Sequence, residues 1–571
     1  MARPLVGLAV AGCAASQPAG PIDQILTGVT VVTLDSTTGA APTALALGGG
    51  RVVGLGNDDS VSRWRASGAP VTDLGGAVIG PAFVDHHVHL YNVGLALLNH
   101  AEADRLFLDL SGATTVAAVE RMVADRAART PAGGWILGAG WSQGAWGSAA
   151  LPTSDPLDRA APQHPVFLGR TDGHAGWVNR RALELAGVTP DASDPPGGRF
   201  ERGGDGRPSG VLLERANEPV MALIPVPSDE DVMAAFRMAA DSLAARGVVE
   251  VYDAGFLAAP GVVALEADLG RLLQLLRRAD SIAPLPIQVN LMVPAPTRLA
   301  DSILAAGPAG REVSPRIRIS HLKLFGDGAL GSRGAALTHP YADDAATRGV
   351  PRMTTAEIET WTRRGLAAGL GVATHAIGDE AVDRALDAYE AILAADPGLD
   401  RHRLRIEHFS SARDEDFARA VRLGVVLSIQ SNFNGLPGDT ASLGHLRIGP
   451  EGESRVYAWN RLHDLGAELA EGSDYFTRPA GPLAGLIATL TRRHAVGEHR
   501  ADPAARILAW RLNARRFPPS GPAVDPIIRP GSAADLVVLS ADPRAGTREA
   551  LDGIRVIATV RAGRFSFGPV R

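Results

Sequence analysis

Apolar residues along the middle of the chain alternate between two patterns. Short unbroken runs over 82–89, 248–253, 286–293, 316–325, 371–375, 404–408, 425–430 and 467–474 have the length and flanking turn residues of buried strands. Most are separated by stretches whose apolar side chains return every three or four positions. Examples are 380–393, with Ala381, Ala385, Leu386, Ala388 and Ile392, and 412–423, both read as amphipathic helices. Strand and helix alternating eight times predict an α/β protein built on a (β/α)8 TIM-type barrel. One gap is far too long: residues 92–246 follow the first strand and carry helical patterns of their own (114–128, 229–245) and short strands (135–138, 166–168). An insertion after a barrel strand emerges at the C-terminal mouth, so this one is expected to cap the active site.

The two ends carry a different pattern. Alternating runs at 28–34, 44–47 and 51–55, punctuated by Gly, Asp and Thr, predict a small antiparallel module, and similar runs return at 534–539 and 556–560 with Arg564 and Phe565. The expectation is a composite β-sandwich domain from residues 21–80 and 520–571, flanking a barrel over 81–519.

Composition narrows the partners. A net charge of -6 and the lack of a basic run argue against nucleic acid and anionic membrane surfaces. No apolar stretch reaches the roughly 18 residues of a membrane span. Small molecules remain as partners, with a homodimer as the candidate assembly. The single cysteine, Cys13, excludes a disulfide framework and a cysteine metal site. It closes the run Val10-Ala11-Gly12-Cys13, which reads as the lipobox of a lipoprotein signal over residues 1–20. Two localisations stand: a cell-envelope lipoprotein acylated at Cys13, or a cytoplasmic protein.

Chemistry gathers at the strand ends. The first strand closes on Asp85-His86-His87-Val88-His89, and alternation points His87 and His89 to one side and His86 to the other. The fifth ends in His375, the sixth in Glu407-His408 and the eighth in Ser473-Asp474. Near the end of the fourth is Lys323, the only lysine; every other residue among the 56 Lys+Arg is arginine. A buried lysine amine can lose its proton and take up carbon dioxide as a carbamate, a carboxylate-like group that guanidinium cannot supply.

These residues, in this order, resemble the amidohydrolase superfamily, specifically its amidohydrolase 3 or YtcJ-like branch, which includes N-substituted formamide deformylases. The resemblance extends over nearly the whole chain: Pro81 to Asp85, Gly134 to Trp141, Thr171 to Asn179, Lys323 with Asp327-Gly328, Thr374 to Asp379, and Gly531 to Leu539. It implies a metallo-hydrolase barrel in which His87 and His89 bind one divalent metal, His375 and His408 a second, and carboxylated Lys323 bridges them. Asp474 would touch the first metal and act as base, and His174 resembles the family's substrate-facing histidine. The implied cofactors are two divalent ions, zinc by preference, and carbon dioxide as the Lys323 carbamate. The implied reaction is hydrolysis of a non-peptide C–N bond in an amide, N-formyl or N-acyl amine by a metal-activated hydroxide. Two alternatives stay open. A mononuclear deaminase would use His87, His89, His375 and Asp474 with Lys323 unmodified, and a non-catalytic regulatory protein would bind metal without turnover. Among secondary positions, Asp172 is expected as a loop or cap residue and His321 deeper in the barrel. Glu214 is expected at the surface or in a helix-side ion pair, and Asp379 and Arg333 as solvated loop charges by default, with orientation of site groups as the alternative. Trp135, Trp141, Trp146 and Trp177 hint at an aromatic substrate or belong to the core.

Overall fold

The structure, a computed structural model, describes residues 18–35, 41–102, 104–147, 150–255, 269–431, 433, 443–450, 455–475, 510–518, 521, 523–544 and 553–568. Cys13 and its lipobox lie outside the described residues.

The barrel forms as expected. Eight strands pair in parallel and in chain order: Phe83–Val88, Val248–Asp253, Gln288–Ala295, Ile317–Phe325, Gly371–Ala376, Leu404–His408, Val426–Ile429 and Glu468–Glu471. The sheet is nearly closed, and the first and last strands meet at the C-terminal mouth. There the Asp474 N–H donates to the His87 carbonyl at 2.6 Å and the Ser473 N–H to the Asp85 carboxylate at 2.9 Å. Gly472 permits this seam, since a Cβ on it would lie 2.5 Å from the His87 backbone nitrogen. The fourth strand illustrates how sequence assigns faces. Leu322 packs outward on the helix Thr355–Ala367, through Gly365, while His321 turns inward to Tyr252. Lys323, two residues on, shares that inner face.

The insertion is tied to the barrel by its first and last helices, Leu90–Ala101 and Asp229–Ala244. They touch backbone to backbone at Gly94, where any side chain would overlap the Ala235 carbonyl. Between them lies a six-stranded sheet in the order Gly198–Arg202, Pro208–Glu214, Ala175–Val178, Val166–Arg170, Ile136–Trp141, Leu108–Asp109. One face of it covers a core of its own, filled by three of the tryptophans, while Phe167, Val178, Phe200 and Leu212 on the other face join the main core. Trp141 stacks on Trp146 and Trp177 meets both edge-on, with ring centroids 5.7 to 5.9 Å apart. Their indole N–H groups donate to the carbonyls of Leu168, Ala113 and Thr153. Trp135 packs against the main core. The aromatic-substrate hint therefore falls away, because all four rings are taken up by core packing.

Strands from both ends share one seven-stranded sheet, in the order Arg564–Phe567, Val556–Arg561, Leu536–Leu539, Val71–Pro81, Gln24–Val31, Ala44–Gly48, Arg51–Gly56. The chain's last third reaches its first through the pairing of Leu536 to Leu539 with Pro81 to Val78. The N-terminal module departs from the all-antiparallel expectation, since Gln24–Val31 runs parallel to Val71–Pro81. The reason is the helix Asp58–Trp64, which crosses one face of the sheet between them and seats Trp64 over Gly54 and Gly56.

Candidate metal centre

The expected site residues meet at the mouth. Ligating atoms of His87, His408 and Asp474 lie within 4.8 Å of one another. Asp474 Oδ1 is 3.2 Å from His89 Nε2 and 3.6 Å from His87 Nε2. The His375 ring sits 4.5 Å from that of His408, and His174 reaches in from the insertion to 5.1 Å from His375. Lys323, fully buried, holds its Nζ 5.2 Å above the Phe325 ring, which also faces His375.

Each imidazole is oriented by its second nitrogen. His87 Nδ1 lies 2.5 Å from Glu407 Oε2, His89 Nδ1 is 2.7 Å from the Gly255 carbonyl and His408 Nδ1 is 2.7 Å from Gln430 Oε1. All three therefore present Nε2. His375 is turned the other way, its Nε2 being 3.5 Å from both the Gly328 carbonyl and Asp327 Oδ1, which leaves Nδ1. Among the described residues, two buried atoms in the middle, His87 Nε2 and Asp474 Oδ1, have no hydrogen-bond partner. Buried polar atoms are rarely left so, and imidazole nitrogens beside carboxylate oxygen are the donors a zinc-like divalent cation takes. Fixing a ring through its distal nitrogen is also how metal-binding histidines are held. The donor set thus fits a divalent metal.

Strand geometry explains why two consecutive residues both reach His87. Alternation would send Glu407 and His408 to opposite faces, yet His408 takes φ +76 and Phe409 +47, which re-aims the strand end. Asp474 likewise sits at φ +49. Such left-handed backbone in residues other than glycine gathers at functional sites.

Burial controls the charges. It pushes the His87 imidazole down to about 4, helped by Lys323, and that of His408 to about 3; His375 is also held well below the ordinary value. These rings are neutral at pH 7 and ready to donate lone pairs. Burial likewise lowers the Lys323 amine to about 8. Burial alone would raise Asp474 and Glu407, but the surrounding His87, His89 and His408 keep Asp474 ionised, and Arg405 with His87 keeps Glu407 so.

The amidohydrolase family matches residues 70–567. The chain belongs to the amidohydrolase family. It is 31% identical over 533 residues to LONG AFTER FAR-RED 3 of Arabidopsis thaliana, covering 92% of this chain and 88% of that one. To YtcJ of Bacillus subtilis it is 30% identical over 433 residues, covering 75% and 76%. To the N-substituted formamide deformylase of Arthrobacter pascens it is 26% identical over 550 residues, covering 91% and 94%. An uncharacterized metal-dependent hydrolase from Pyrococcus horikoshii shares the fold with a TM-score of 0.67 and 27% identity, over 92% of this chain and 99% of that one.

Several secondary expectations for this amidohydrolase change. Glu214 is neither exposed nor on a helix; it ends the strand Pro208–Glu214 with its side chain 1% exposed, against His174. Arg333 is buried on Asp343, which it shares with Arg447. Asp379, also buried, accepts hydrogen bonds from the Thr338 backbone N–H and hydroxyl. Three positions agree with expectation. Asp172 is a loop residue accepting the His174 N–H, His321 lies deeper against Tyr252, and His86 turns from the cluster to the Arg515 carbonyl. Glu407, Gln430 and Asp327 received no role from the sequence. The one available signal was Glu407 standing between Arg405 and His408 at a strand end.

Proposed function

We propose that this amidohydrolase is a metal-dependent hydrolase of non-peptide C–N bonds, acting on small N-formyl or N-acyl amines. The observation that carries the reading is the orphaned pair at the mouth, His87 Nε2 and Asp474 Oδ1, ringed by imidazoles whose far nitrogens are already engaged. His87, His89 and Asp474 would hold one ion, His375 and His408 a second, and Lys323, as its carbamate, the space between. Such a pair, zinc in the first instance, would supply polarisation of a carbonyl and a water whose pKa lies toward 7. Asp474 takes the proton from the attacking water and returns it to the amine nitrogen as the C–N bond breaks, giving one acid and one amine. The insertion, which brings His174 to 5.1 Å from the His375 ring, would cover the mouth and limit bulk water. The similarity to a formamide deformylase supports N-formyl compounds as the first substrates to test.

A panel of N-formyl and N-acyl amines, offered to chelated protein with and without zinc, tests this reading. Zinc-dependent release of amine is the expected result. No turnover of any panel member by protein holding two zinc ions would overturn it, and ammonia released from an amino-heterocycle by one-metal protein would favour a deaminase instead.

Two further results are expected. Gln430→Leu removes the acceptor that orients His408, so zinc at the second position should bind about 10 to 100-fold more weakly, read by competition with a chromogenic chelator. Only the neutral amine reacts with carbon dioxide, and burial holds Lys323 down to about 8. At fixed dissolved carbon dioxide, carbamate should therefore form about eightfold faster at pH 8.5 than at pH 7 and level off above, read by ¹³C NMR of chelated protein. A rate rising steadily to pH 10 would place the amine in water.

A further inference from the structure

We propose that Glu214 is a positioning residue: it fixes the His174 imidazole so that Nε2 meets the substrate carbonyl. This rests on the hydrolase reading above and names a residue that reading did not contain. Strand pairing delivers both groups together. Leu213 pairs with Ala175 across antiparallel strands, and the next rung is the Glu214 N–H donating to the His174 carbonyl at 2.9 Å. The His174 N–H in turn donates to Asp172 Oδ1 at 3.2 Å. With the backbone pinned, both carboxylate oxygens of Glu214 face His174 Nδ1, at 3.1 and 3.0 Å.

The carboxylate itself cannot swing away. Arg352 donates to its Oε2 at 3.1 Å from the other side, with the guanidinium 4.8 Å above the Phe325 ring. Gly328 and Gly334, in the loop after the Lys323 strand, leave room for it, because a side chain at either would overlap Glu214 Oε1. The backbone at Glu214, φ 53 and ψ -127, is a conformation that side-chain-bearing residues avoid. An unfavourable backbone conformation, a sealed carboxylate and two glycines cleared for it converge on one imidazole.

That imidazole is not sealed. The His174 side chain keeps 8% exposure against 1% for Glu214, and among the described residues its Nε2 has no hydrogen-bond partner. It stands 5.1 Å, ring to ring, from His375. A carboxylate on Nδ1 fixes both ring orientation and tautomer and stabilises an imidazolium if one forms, so Nε2 is held in one direction.

The test has a part that needs no substrate. Side-chain ¹⁵N NMR of the zinc-loaded wild type should show His174 Nδ1 protonated, and Glu214→Gln should move both ring resonances. An unprotonated Nδ1 in the wild type would overturn the inference whatever the hydrolysis panel gives. With a substrate in hand, Glu214→Gln and His174→Ala should each lower kcat about 10²-fold with KM within about twofold and zinc content unchanged. The double variant should be no slower than His174→Ala alone, because Glu214 acts through that ring. Losses that multiply would show Glu214 acting elsewhere and overturn the assignment. Should Glu214→Gln fail to fold, the wild-type ¹⁵N signature alone decides.

Discussion

Replacing Lys323 with alanine should leave a folded barrel that binds at most one zinc per chain and has lost at least about three orders of magnitude in kcat. The side chain lies wholly within the barrel mouth, its strand neighbours Leu322 and Leu324 are packed on the helix side, and the parallel pairing on both flanks is backbone work that alanine preserves. What alanine removes is the only amine in the chain able to become an anionic bridge. Lys323→Arg should be no better, because guanidinium cannot be carboxylated and would stay cationic next to the arginines already near, Arg405 and Arg352. Zinc analysis, circular dichroism and turnover on the same preparations check the prediction. Full activity in either variant would count against the bridge.

Asp474→Asn should keep both zinc ions and lose about 10² to 10⁴ in kcat. The substitution is conformationally mild, since asparagine tolerates the left-handed backbone that Asp474 adopts, and the N–H that closes the barrel onto His87 remains. An amide oxygen can still face a cation but cannot take a proton from water at neutral pH. Stopped-time assays beside zinc analysis separate the two functions, and an unchanged kcat would remove the base assignment.

The barrel could be read from the chain because parallel strands covered on both faces become unbroken apolar runs, and their helices keep a separate period. Alternation made the common side of His87 and His89 legible, while His375, His408 and Asp474 stood out as strand ends whose roles the family resemblance implied. What alternation could not provide was any position where the backbone departs from it. Glu407 points inward with Arg405 as alternation dictates, and His408 joins it at the site because its own backbone turns left-handed. Glu214 was misread because Val211-Leu212-Leu213 is too short to distinguish helix from strand, and its burial depends on glycines more than a hundred residues later. The parallel pairing near the N-terminus depended on a short helix, Asp58–Trp64, whose few apolar residues gave too little periodicity to mark a crossover.

The shared terminal sheet also bears on how the protein is made. During synthesis the strand Val71–Pro81 leaves the ribosome with one side already matched by Gln24–Val31, while its other side waits for Leu536–Leu539, translated more than four hundred residues later. Until then an apolar strand, continuous with the start of the barrel, exposes unpaired peptide groups to any other nascent chain. Chaperone dependence should therefore be concentrated at this edge, and a chain stalled before Leu536 should aggregate even with all eight barrel strands synthesised.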